Sequence, residues 1–190
     1  MDVLRRLSIS KKIFLIPFIG TLSFVIYLAL ASNTALNNVR TLEQTHDVQF
    51  PVLQAAQESL VQLERVKDSL ASAVTTGDEE ALATAAGFSK KLTDALDSIS
   101  RLNSDYAGDI SKIKQSFDAY YQVAYKVSQE MINNTADFST LGQRSEKMNA
   151  DYDATKKLLT QFSDNRLQAF TTAIDDASGQ AGRLIWVGAI

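Results

Sequence analysis

The chain contains no cysteine, one histidine and only two prolines among its 190 residues. The absence of cysteine excludes a disulfide framework and thiol chemistry. The single histidine, His46, excludes a metal site built from several histidines of one subunit. Between residues 33 and 182 there is one proline, Pro51, and no alternating strand-like pattern. These absences favour a domain of long helices that is stabilised by packing alone.

Charge is absent from one stretch near the N-terminus, IFLIPFIGTLSFVIYLALAS at residues 13–32. At about 1.5 Å per residue, a helix of this length reaches ~30 Å, the thickness of the hydrocarbon core of a bilayer. Four basic residues precede it: Arg5, Arg6, Lys11 and Lys12. Because basic flanks stay inside, we predict a cytoplasmic N-terminus at residues 1–12 and a transmembrane helix at residues 13–32.

A cleaved signal peptide is the main alternative for the same stretch, since Ala29-Leu30-Ala31 has the pattern of a cleavage site. The apolar run is longer than the ~7–15 residues usual for a signal peptide. The chain also becomes apolar again at its end, with LIWVGAI at residues 184–190. We interpret this end as the truncated start of a second transmembrane helix, with Arg183 and Trp186 as anchors at the outer membrane surface. Lys11 and Lys12 are the expected anchors of the first transmembrane helix.

Heptad spacing dominates the residues between the two apolar ends. In the first predicted helix the spacing is unbroken from residue 39 to residue 74, and the polar residues on it are His46, Gln49 and Lys67. Gly77 ends this helix and Asp78 caps the next, at residues 78–106. The third helix covers residues 110–131 and the fourth runs from near Ser139 towards Arg183. Breaks are predicted at residues 107–109 and 133–135.

The lengths of these helices predict an architecture. Residues 33–76 and 139–182 form outer helices of 44 residues each, both joined to apolar ends, whereas the middle pair is shorter. The predicted fold is all-α, an up-down-up-down four-helix bundle that projects from the membrane and forms a periplasmic sensory domain at residues 33–183. Residues 33–182 carry 14 basic and 21 acidic side chains, so nucleic acid is not an expected partner.

This layout resembles a known family. A short basic N-terminus, one span, a heptad helix ending in TTGDEEAL, three more helices and a second span are similar to the sensory half of bacterial methyl-accepting chemotaxis receptors. The resemblance covers the whole chain in layout and is most specific at residues 50–82. It implies a ligand-sensing, transmembrane signalling module in the bacterial inner membrane, without enzyme activity or cofactor. It also implies a homodimer that senses a small molecule or a periplasmic binding protein.

Other functions fit the same sequence features. Sensor histidine kinases and diguanylate cyclases carry the same input module, and the residues that would distinguish them lie beyond Ile190. If residues 1–31 are a cleaved signal peptide, the chain is instead a secreted helical protein that binds a partner. No phosphate loop, catalytic triad or carboxylate pair is recognisable, so we do not expect catalytic residues.

The resemblance also implies a ligand site. In the receptors that this chain resembles, arginines of the first helix and a threonine of the fourth hold an amino acid at the dimer interface. Arg65 suits this role because its planar fork pairs with a carboxylate. We expect it opposite Tyr152 and Thr155, and Gln62 and Ser69 complete the candidate set. Ser72 and Ala73 stand where a second arginine is expected, so the amino-acid signature is incomplete. The alternative is a surface Arg65 paired with Asp68 or Glu58.

Four further predictions concern single features. His46 is expected to be a hydrogen-bonded core residue rather than a pH sensor. Residues 78–80 are expected to begin a capped helix rather than to bind a cation. Pro51 is expected to kink or loosen its helix. A second stripe on the first helix is expected to face a symmetry mate in a parallel homodimer: Val52, Ala55, Ser59, Gln62, Val66, Ser69 and Ala73.

Overall fold

The structure, a computed structural model, describes the backbone of residues 9–188 and the side chains of residues 14, 15 and 17–179. Residues 9–188 form helices joined by short turns, without a β-strand, which confirms the all-α class. The α-helices are α1 (Ile9–Gln44), α2 (Phe50–Thr76), α3 (Glu79–Leu102), α4 (Ala107–Ile132) and α5 (Phe138–Gly188). Thr45–Gln49 form a π-helical turn and Ser104–Tyr106 a 3-10 turn.

The chain divides into two compact units, residues 1–44 with 173–190, and residues 45–172. The first unit contains the whole of α1, whose exposed apolar side chains include Phe14, Phe18 and Phe24. This helix is long and apolar enough to cross a membrane, a criterion that a signal sequence near the N-terminus also meets. The backbone at Lys11, Lys12, Arg183 and Trp186 is helical, and the side chains of these predicted anchors lie outside the described residues.

The second unit has one hydrophobic core, to which α2, α3, α4 and the first half of α5 all contribute. Its largest fully buried side chains include Leu63, Leu92, Phe117 and Leu159, one from each helix. Helices α2 and α5 are antiparallel along their shared length. Phe50 lies against Phe170 with ring centroids 6.1 Å apart, and Glu64 accepts a 2.7 Å hydrogen bond from Lys156.

Two predicted turns lie where the sequence placed them. Gly77 has φ 70°, a left-handed conformation that favours glycine, and its N–H donates to the carbonyl of Ala73 at 2.9 Å. Asp78 caps α3 by accepting from the backbone N–H of Glu80 at 2.8 Å. The other turn follows Ile132 and contains Asn134 with φ 54°. The capped-start interpretation of residues 78–80 is therefore confirmed.

The turn between α3 and α4 was predicted four residues too late. Helix α3 ends at Leu102 instead of Tyr106, and Gly108 lies in the first turn of α4. The cause is Asn103, whose backbone is extended and whose side-chain oxygen accepts from the N–H of Asp105 at 2.9 Å. This local hydrogen bond offers the backbone an alternative to the helix, as asparagine often does in turns.

The π-helical turn ends two residues before Pro51, close to where the sequence predicted a loosened helix. Proline has no N–H and its ring conflicts with the carbonyl four residues earlier, so a wider turn relieves the conflict. The turn also changes which residues face inward. Thr45 is buried, whereas the His46 side chain is 86% exposed and contacts Asp47 at 2.7 Å. The prediction that His46 is a core residue was therefore wrong.

The predicted dimer stripe on α2 lies mostly inside the chain. Val52, Ser59, Gln62, Val66 and Ala73 are buried, while Ala55 and Ser69 are half-buried. Helix α2 packs against more than one neighbouring helix, so its buried face is wider than one heptad stripe. The assignment of this stripe to a symmetry mate was therefore wrong. The exposed residues of α2 include a stripe formed by Gln54, Glu58, Val61, Arg65, Asp68 and Ser72.

Candidate ligand-binding site

Arg65, the centre of the predicted site, is exposed and points towards α3. The central carbon of its guanidinium lies 5.5 Å from the ring centroid of Phe88, within the range of a cation–π contact. Among the described residues no ion pair joins Arg65 to Asp68 or Glu58. An α-helix turns about 100° per residue, so Glu64 rather than Arg65 faces α5. The structure does not bring Arg65 together with Tyr152 and Thr155.

Gln62 and Thr155 are both buried in the core of the second unit. The Gln62 amide donates to the Glu58 carboxylate, and its own oxygen has no partner among the described residues. The Thr155 hydroxyl lies 2.9 Å from that of Ser116 and also donates to the carbonyl of Asp151 at 2.8 Å. Except for the Gln62 oxygen, the polar groups of these two side chains are paired with neighbours inside the second unit. Ser69 is half-buried on the same helix as Gln62.

Tyr152 is the centre of a cluster of charged and aromatic side chains. The Lys67 ammonium lies 4.3 Å from the centroid of the Tyr152 ring. The ring of Tyr120 contacts it edge-on, with the two ring centroids 5.4 Å apart. The buried hydroxyl of Tyr152 lies beside the Glu64 carboxylate and makes no other hydrogen bond among the described residues. Lys156 donates to the same carboxylate at 2.7 Å. The cluster links α2, α4 and α5 at one level of the unit.

The charges and burial of this cluster shift several pKa values. The hydrogen bond from Lys156, followed by Tyr152, lowers the pKa of Glu64 below its ordinary value. The same hydrogen bond raises the pKa of Lys156. Burial raises the pKa of Tyr120 and of Tyr152, so both phenols stay neutral over the whole physiological range. Glu64 and Lys156 are thus an ion pair at neutral pH, and neither tyrosine is a source of negative charge.

A cavity of about 390 Å³ begins at Tyr152 and extends towards the α2–α3 and α4–α5 turns. Its wall consists of residues 67–75 of α2, 120–131 of α4 and 141–152 of α5, and the lining is mainly apolar. The volume lies near the lower end of the range of small-molecule sites. The polar lining residues are Lys67, Thr75, Tyr120, Ser128, Ser145, Asn149 and Tyr152.

Lys67 is the one charged residue among those that line the cavity. Within the described part of the chain, no carboxylate lies within ion-pair distance of Lys67. Its charge contributes to the lowered pKa of Glu64, but the carboxylate of Glu64 is paired with Lys156. Sequence reasoning noted Lys67 only as a polar residue on the heptad pattern. A charged side chain at a position that heptad packing reserves for apolar residues is the signal that would have identified it.

A smaller cleft of about 130 Å³ lies at the other end of the unit, between α4 and α5. Arg166 lines it, with its guanidinium carbon 4.4 Å from the ring centroid of Tyr106 and 5.4 Å from that of Phe162. These contacts explain Arg166 as part of the packing between the 3-10 turn and α5. In the described residues no cluster of acidic and histidine side chains has the arrangement of a metal site.

Comparisons with protein-family models, with curated proteins and with solved structures gave no match to this chain. The assignment of function therefore depends on the sequence pattern and on the geometry described above.

Proposed function

We propose that this chain is the extracytoplasmic ligand-sensing and transmembrane signalling module of a bacterial chemoreceptor. The observation that carries the proposal is the continuity of α5. Residues 141–152 of α5 line the cavity, and the same helix continues without a break to Gly188. A helix that contacts a bound ligand at one end and enters a membrane at the other is a direct carrier of a conformational signal.

The proposed architecture is an up-down-up-down four-helix bundle that projects from the inner membrane into the periplasm. Antiparallel contacts support it: Glu64 with Lys156 between α2 and α5, Asp97 with Lys114 between α3 and α4, and Glu130 with Arg144 between α4 and α5. Each partner lies on a different helix, and short turns connect consecutive helices, as in such bundles. The exposed apolar face of α1 supports its placement in the membrane.

A parallel homodimer is part of the proposal, with a revised contact surface. The exposed face of α2, from Gln54 to Ser72, replaces the buried stripe as the candidate interface. Single cysteines on this face should form disulfides between subunits more readily than cysteines at Val52, Ser59 or Val66. Because the chain has no native cysteine, each cross-link is assigned without ambiguity. Equal yields at exposed and buried positions would contradict this interface.

The proposed signal is a small sliding movement of α5, on the order of 1–2 Å, as helices at subunit interfaces make. To test it, residues 1–190 are joined within the second span to the signalling half of a chemoreceptor with measurable kinase output. The Arg183-x-x-Trp186 motif is then moved one residue inward or outward. The two shifts should bias kinase output in opposite directions without ligand. Equal output from both would contradict sliding, and a chimera whose output never changes would contradict the sensory function.

A further inference from the structure

We propose that the cavity between α2, α4 and α5 binds a small monocarboxylate with an apolar, aromatic or branched aliphatic body. This site is distinct from the surface around Arg65, which lies towards α3. The inference gives the proposed sensory function its ligand class and rests on that function for its biological meaning. Its test, however, measures binding alone and does not depend on signalling output.

The size and lining of the cavity select the body of the ligand. About 390 Å³ is available, and the wall is formed chiefly by apolar side chains such as Leu70, Val74, Met131 and Met148. An apolar body gains free energy by leaving water for such a surface, whereas a sugar or a nucleotide would lose hydrogen bonds there. Methionine side chains adapt to varied shapes, which suits a class of ligands rather than a single compound.

The charge at the cavity selects an anion. The Lys67 ammonium lies over the Tyr152 ring at 4.3 Å, which is the place where a ligand cation would otherwise make a cation–π contact. A second cation there would be repelled by Lys67. An anionic group beside the ammonium, away from the face of the ring, would gain a charge-assisted hydrogen bond from Lys67, which no carboxylate of the described residues pairs.

The surrounding polar groups favour one carboxylate over two. Lys67 is the only charged lining residue, and the remaining polar groups are neutral hydroxyls and the Asn149 amide. A second carboxylate deeper in the cavity would lose its hydration without meeting another cation. Glu64, one turn from Lys67 on α2, is not among the residues that line the cavity, and Lys156 neutralises its charge.

The direct test uses three probes of one shape and different charge: 3-phenylpropionate, 3-phenylpropionamide and 3-phenylpropylamine. Binding to the full chain in nanodiscs is measured by isothermal titration calorimetry, with empty nanodiscs as the blank. We expect the carboxylate to bind about tenfold more tightly than the amide, the difference that one charge-assisted hydrogen bond supplies, and the amine most weakly. Equal binding of carboxylate and amide, or no binding of any probe at millimolar concentration, would overturn the proposal.

Three variants locate the site. Lys67→Met should reduce carboxylate affinity by about tenfold and leave the amide within about twofold, because only the charged contact is lost. Lys157→Met, which removes an exposed lysine of α5 outside the cavity, is the matched control and should change neither. Ala71→Trp changes an exposed residue of the cavity wall and should abolish binding of carboxylate and amide alike. Equal losses in Lys67→Met and Lys157→Met, or full binding by a folded Ala71→Trp, would refute the assignment of this cavity.

The sensory function and the ligand site can each be rejected without rejecting the other. Probe binding with the predicted charge preference, but a chimera without output, would retain the site and reject the sensory function. Output that responds to the anchor shifts, without binding of any of the three probes, would retain the function and reject the site.

Discussion

At the scale of single residues, the core of the second unit depends on a few large apolar side chains. Leu63 is fully buried on α2, and Leu167 of α5 is 44% exposed, which gives a matched pair for the same substitution. Leu63→Ala should lower the free energy of unfolding by about 2–5 kcal/mol, since it removes buried methyl groups and leaves a cavity. Leu167→Ala should change it by about 0.5 kcal/mol or less. Urea unfolding followed by circular dichroism distinguishes the two; similar losses would contradict the described core.

The Glu64–Lys156 pair predicts a pH dependence of stability. The lowered pKa of Glu64 means that the folded state holds the carboxylate in its charged form. Its contribution is fully present above the ordinary pKa of 4.5 and is lost as the pH falls through the lower folded value. The native chain should therefore resist urea better than Glu64→Gln at neutral pH, and this advantage should disappear in acid. Glu146→Gln, at an exposed residue without an ion pair among the described residues, is the control. An advantage that persists unchanged in acid would argue against the pair.

At the scale of helices, periodicity predicted α3 and α4 well because their apolar spacing coincides with the buried face. Leu82, Leu92, Ile113 and Phe117 all lie on this apolar spacing and are buried. Local hydrogen bonds and register changes were not predictable in this way. The hydrogen bond from the Asp105 N–H to the Asn103 side chain ends α3 early. The π-helical turn does not interrupt the heptad spacing of the sequence, yet His46 is exposed within it.

The candidate site was partly predictable from the sequence. Tyr152 was selected correctly as a residue of the α2–α5 contact, because antiparallel register alone places it near residues 64–67 of α2. The choice of Arg65 depended on which residue of this turn of α2 faces α5. Glu64 faces α5, and the next residue, Arg65, is rotated by about 100° and contacts Phe88 of α3 instead. The cavity itself depends on the packing of three helices and has no signature in the spacing of any one of them.

The π-helical turn makes a prediction of its own. Deletion of Asp47 combined with Pro51→Ala should convert the turn into an α-helical one and keep α2 in register with its neighbours. Deletion of Glu58 combined with Pro51→Ala should rotate half of α2 by about 100° and move its buried face out of the core. We expect a small shift in the thermal unfolding midpoint for the first variant and loss of cooperative unfolding for the second. Comparable damage in both would contradict a discrete one-residue insertion at residues 45–49.

At the scale of the whole molecule, the proposed topology places the α4–α5 turn outside the cell and the N-terminus inside. Asp137 is exposed and begins the turn into α5, where its carboxylate accepts from the N–H of Ser139 at 2.9 Å. Asp137→Cys in intact spheroplasts should react with a membrane-impermeant thiol reagent, and Ser8→Cys should react only after permeabilisation. The chain offers no competing thiol. Protection at residue 137 together with reactivity at residue 8 would reverse the orientation.

The π-helical turn at Thr45–Gln49 also bears on the ancestry of the chain. Such a turn contains one residue more than the α-helical turn that would replace it, so a single-residue insertion is its simplest expected origin. A homologue with an uninterrupted helix should carry one residue fewer between the apolar N-terminal stretch and the segment that begins FPVL. An alignment without a gap at this place would pair every residue on one side of the turn with the wrong residue of the homologue, one position away from its true equivalent. An alignment of this chain with a homologue is therefore best made separately for the residues before and after Pro51.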